Sequence, residues 1–73
     1  MIRGMWLGGA LWRPVSGGWA AVLPCGTAAT VERRGDQVVW EAGRRCGLTT
    51  GAGVLVVCAE VAREAKGRAE AAA

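Results

Sequence analysis

Residues 7–23 read LGGALWRPVSGGWAAVL, and the interpretation of this stretch decides the fold. Gly8, Gly9, Pro14 and Gly17 punctuate its first part, so residues 8–17 read as a loop. Residues 18–23 follow as a strand, with Trp19, Ala21 and Leu23 on one face and Ala20 and Val22 on the other. Upstream, residues 2–7 make a short first strand with Ile2, Met5 and Trp6 as its bulk. Downstream, Pro24 and Gly26 interrupt the second strand, because proline lacks the N–H that a ladder needs. Residues 27–33 continue extended, Arg34-Gly35-Asp36 makes a tight turn, and residues 37–42 return through Val38, Val39 and Trp40. Residues 43–50 read as a second loop.

The remaining stretch predicts a helix from about Gly51 to Arg68, with Thr50 as its N-cap. At about 100° per residue, Val54, Leu55, Cys58, Val61, Ala62, Ala65 and Ala69 share one face, while Glu60, Arg63, Glu64, Lys66 and Glu70 occupy the rest. Val56 and Val57 fall off that stripe and mark a second contact, although residues 54–57 alone are also compatible with a strand. Residues 69–73 read as a frayed alanine-rich tail, and no internal repeat is visible. The expected fold is α+β: a three-stranded antiparallel sheet followed by one C-terminal amphipathic helix, in a single small domain over residues 1–68.

Composition bounds what such a domain can do. The 73 residues are 52% apolar, unlike a disordered chain. A chain of this size buries only about 60% of its unfolded surface, so its core is marginal. With no Phe or Tyr, that core rests on Trp, Leu, Val and Ala. Small domains of this kind are commonly cross-linked, metal-bound or oligomeric. Three cysteines, Cys25, Cys46 and Cys58, and no His offer neither a disulfide framework nor a zinc ligand set. No metal, cofactor or small-molecule ligand is therefore expected, and free thiols fit a reducing, cytoplasmic setting. Residues 1–12 carry Arg3 and an apolar stretch, but glycines and Arg13 break it and no small-residue cleavage site follows. The longest apolar run, residues 54–59, is too short to span a bilayer. The net charge of +3 is concentrated at Arg33, Arg34, Arg44 and Arg45, which are the candidates for nucleic-acid contact.

The order strand, strand, strand, helix, together with Gly8, Pro14, Gly17-Gly18 and the run Trp19-Ala20-Ala21-Val22-Leu23, resembles the N-terminal half of a bacterial ribonuclease H domain. Thr49-Thr50 falls where that family opens its helix with TTNNRMEL. The resemblance covers most of this chain but only about half of the family domain. It implies two catalytic metal ligands at positions that are Leu7 and Leu55 here, and two hybrid-contacting asparagines at positions that are Gly51 and Ala52. Two-metal hydrolysis needs several carboxylates to hold hard divalent ions. The resemblance therefore implies a folded relic that is not an enzyme, with no catalytic residue and no metal site.

Half of such a fold leaves the edge of its first strand bare, and bare edges invite pairing. The reading is a non-catalytic interaction module completed by self-association, edge to edge or through the helix, or docked on a partner protein in a larger assembly. Trp6, Trp12, Val56 and Val57 are the expected interface residues. One alternative is duplex or hybrid binding without cleavage through the four arginines. Another is a small membrane-active or toxin-like protein, against which the mixed charges of the helix argue.

Overall fold

A computed structural model describes residues 4–72 of the chain. Six strands, β1 (Met5–Leu7), β2 (Ala10–Val15), β3 (Gly18–Val22), β4 (Ala28–Arg34), β5 (Gln37–Ala42) and β6 (Arg45–Thr50), precede one helix, α1 (Val54–Ala72). The strands form a single antiparallel sheet in the order β1-β2-β3-β4-β5-β6, so each pairs only with its neighbours in sequence. The helix lies across one face, touching β1, β4 and β5.

The expected three-stranded sheet is thus corrected to a six-stranded meander, and with it the half-domain architecture that the ribonuclease H resemblance implied. Residues 8–17 are not a loop. Gly8-Gly9 and Ser16-Gly17 are tight turns that enclose β2. Residues 43–50 likewise split into the turn Gly43-Arg44 and the strand β6. The hairpin around Gly35-Asp36 stands as read, with Arg34 opposite Gln37. Gly35 and Gly43 each take positive φ as the first of two turn residues, which is the requirement of a II′ hairpin turn.

Pro14 sits inside β2 for a local reason. Val15 and Gly18 close the two-residue turn as a hydrogen-bonded pair, so Pro14 and Trp19 form a non-hydrogen-bonded pair. The position of the missing N–H therefore faces away from β3, and the proline removes no bond from the β2–β3 ladder.

The core lies between sheet and helix. Alternation along the strands sends Ala10, Trp12, Ala21, Leu23, Ala29, Val31 and Val38 inward, against Val57, Cys58, Val61, Ala62 and Ala65 of α1. Trp12 and Cys58 are wholly buried, and the Trp12 indole N–H donates to the carbonyl of Leu7 at 3.3 Å. Trp40 lies over Gly47, where even a methyl group would come within 2.5 Å of its ring.

The helix corrects the sequence reading in three places. It starts at Val54 with the carbonyl of Gly53 accepting from the N–H of Val57 at 3.2 Å, so Thr50 ends β6 and is not the N-cap. Val57 belongs to the core and Leu55 is exposed, the reverse of the predicted stripe. Residues 54–57 are helical, and the helix continues through the alanine-rich tail to Ala72. Ile2, assigned to the first strand, lies outside the described residues.

Candidate functional site

The side of the sheet opposite α1 is bare among the described residues. Its shortest dimension, 18 Å, gives the molecule room for one sheet and one helix layer only. The uncovered face is built by the residues that alternate with the core. Trp6 stands opposite Leu11, and Val22 opposite Ala28. A second row crosses the sheet as Arg13, Ala20, Thr30, Glu41 and Cys46. A third runs Val15, Gly18, Glu32, Val39 and Leu48. Trp6 is 71% and Val22 67% exposed, and Val15 and Leu48 also face solvent. Several large apolar side chains exposed on one face, set among charged residues, mark a contact site more often than a solvated face.

The charges on this face are arranged about its centre. Arg13 on β2 and Glu41 on β5 share a row and flank Ala20 and Thr30. With strands about 4.8 Å apart, the two charges stand roughly 14 Å from each other, symmetrically about a line running between β3 and β4. Neither forms an ion pair among the described residues, whereas Glu32 is held by Arg34 at 3.3 Å. A two-fold axis along that line would place Arg13 of one copy over Glu41 of another. Such self-complementarity is what an isologous interface demands.

The residues singled out from the sequence scatter over the fold. Trp6 is on the bare face at the β1 edge. Trp12 and Val57 are core residues and offer no outer surface. Val56 is exposed in the first turn of α1, next to Leu55. Leu7 is half-buried at the end of β1.

The four arginines separate into two pairs at opposite ends of β5. Arg33 and Arg34 end β4 at the β4–β5 turn, where the Arg33 Nε donates to the carbonyl of Gly35 at 3.2 Å. Arg44 and Arg45 sit at the β5–β6 turn, with Arg45 bound to Glu64 at 2.7 Å. Six strand residues put roughly 17 Å between the pairs. Sequence reasoning missed Arg13, Val15, Val22, Glu41 and Leu48. For Arg13, Val15 and Leu48 the signal lies in the alternation of β2 and β6, whereas Val22 and Glu41 already fall on stretches that read as strands and gain their meaning only from the added neighbours.

Among the described residues no group of three or more His, Cys, Asp or Glu is placed to hold a metal ion, and no helix is long and apolar enough to cross a membrane. No family model, curated protein or solved structure matches this chain.

Proposed function

We propose that this chain is a non-catalytic interaction module that acts as a homodimer, two sheets packing through their uncovered faces. The observation that carries this reading is the placement of Arg13 and Glu41 on either side of the small residues Ala20 and Thr30, within one cross-strand row. Face-to-face sheets pack about 10 Å apart, a gap that an arginine and a glutamate bridge from opposite sides. The area is adequate for a modest complex. Six strands by five residues project roughly 400–500 Å², and side-chain relief brings this to roughly 600–700 Å² of accessible surface per copy. Twice that falls at the low end of the roughly 1,200–2,000 Å² of stable interfaces, which suits a micromolar dimer.

The edges and the helix give less support to the other modes. β1 is only three residues long, and the outer face of α1 carries Glu60, Arg63 and Lys66. Nucleic-acid contact through the arginines has less support too, because they divide between the two ends of the sheet. Sedimentation equilibrium from about 1 µM to 1 mM tests the reading, the range in which a micromolar dimer forms. The apparent mass should rise from 7.5 kDa toward twice that value. Val22→Lys, at an exposed site on the apolar row, should hold the chain monomeric with its circular dichroism and melting unchanged. A wild-type monomer at the highest concentration refutes the proposal.

A further inference from the structure

A second concavity lies on the helix side of the sheet, away from the face just described. It is a cleft of about 260 Å³ at the end of the sheet where the β3–β4 and β5–β6 turns approach the C-terminal half of α1. Its floor is apolar, formed by Leu23, Trp40, Val61 and Ala65. Its rim is charged and unbalanced. Glu64 takes Arg45 at 2.7 Å and Arg68 at 3.3 Å through the same Oε1, so one carboxylate serves two guanidinium groups. Arg44, on the β5–β6 turn, has no acidic partner among the described residues. Three arginines against one glutamate leave the rim with a net charge of +2.

We infer that this cleft binds a small organic monoanion with a flat apolar body, of the aromatic carboxylate class. The carboxylate meets the free guanidinium of Arg44 and the incompletely neutralised Arg68, and the body lies on Trp40 and the aliphatic floor. The volume lies just under the roughly 300–1,000 Å³ of pockets for drug-sized ligands, so the ligand has about a dozen non-hydrogen atoms. Inorganic anions have nothing to set against the apolar floor, and neutral aromatics leave the rim charges unused. Cys25 stands at the mouth, exposed, and serves as a reporter. Hydrogen bonds from Thr27 hold its thiol below the ordinary value.

The test is a titration of the full chain with phenylacetate, followed by amide and indole nuclear magnetic resonance shifts and by the rate at which iodoacetamide labels Cys25. Saturable shifts at the Trp40 indole and at Arg44 are expected, with Cys25 labelling slowed in step. Phenylacetamide, lacking the charge, should bind about tenfold more weakly, and Arg44→Ala should weaken phenylacetate about fivefold without altering the fold. The binding should persist in the Arg13→Glu variant, because it does not depend on the dimer. Absence of saturation by about 20 mM, equal binding of the amide, or indifference to Arg44→Ala overturns the inference.

Discussion

Reversing Arg13 to Glu places a carboxylate where the two-fold arrangement needs a cation. The dimer contains the Arg13–Glu41 contact twice, once on each side of the axis. Partly exposed pairs of this kind contribute about 0.5 kcal/mol each, and like charges in the same geometry cost a similar amount. The single reversal removes two attractions and adds two repulsions, a total of about 2 kcal/mol, or about a thirtyfold weaker dimer. Glu41→Arg should do the same. The double variant Arg13→Glu/Glu41→Arg restores both pairs with the signs exchanged, and its dissociation constant should return to within about threefold of the wild type. Sedimentation equilibrium on the four proteins measures all of this, and repeating it in about 1 M salt should shrink the differences, since screening then acts within about 3 Å. Both residues are exposed, so thermal melting of dilute samples should hardly change. If both single variants dimerise like the wild type, or if the double variant does not recover, the proposed axis is wrong.

Trp12→Ala removes a fully buried indole and its bond to the carbonyl of Leu7. The expected loss of about 3–5 kcal/mol consumes most of the stability of so small a domain, and urea titration should show a largely unfolded population without denaturant. Gly8→Ala should destabilise by about 2–3 kcal/mol, because the new methyl sits at φ +63° and within 2.5 Å of the carbonyl of Ala59. Gly17→Ala, at φ +82° with open space around it, should cost about 1 kcal/mol in the same urea titration, and equal costs would remove the helix contact from the explanation. Burial raises the Cys58 thiol from 9.0 to about 11. The unfolded chain therefore ionises first, so the contribution of the neutral thiol is whole below pH 9 and is lost as pH rises to about 11. Unfolding free energies from urea titration at about pH 8 and pH 10.5 should differ by about 2 kcal/mol more for the wild type than for Cys58→Ala.

The parts of the fold that were legible were those where a turn signal stood between two alternating runs. Thr30 to Val38 shows this, with Gly35 at the tip and Val31 and Val38 facing the core. The strand β2 is hidden because Pro14 lies within it, and proline ordinarily argues against a strand; its place in a non-hydrogen-bonded pair with Trp19 makes it harmless to the β2–β3 ladder. The strand β6 was hidden because Gly47 weakens its pattern, and Gly47 is there to admit the Trp40 ring. Its Thr49 and Thr50 are β-branched residues in a strand, not the opening of a helix.

The spacing of the glycines carries a stronger signal. Gly9, Gly17, Gly26, Gly35, Gly43 and Gly51 all take positive φ, at intervals of eight or nine residues, one for each turn or strand end. Turn residues at that spacing denote a meander. The face of the sheet and the cleft, by contrast, could not be read before the strands were counted. Arg13 and Glu41 share a row only because three hairpin registers bring them there, and the cleft draws on two turns and a helix far apart along the chain.

The neighbour-to-neighbour order of the strands also shapes how the protein is made. Each hairpin needs only the segment that has just left the ribosome, so the sheet can zip up one ribbon at a time during synthesis. The helix follows the sheet and must reach back from Ala59 and Ala62 to Gly8, more than fifty residues earlier. Until it does, Trp12 and Val31 have no lid, and the nascent sheet is greasy on both sides. Emergence of α1, residues 54–72, is then the step that covers the inner face of the sheet and takes the chain out of its aggregation-prone stage.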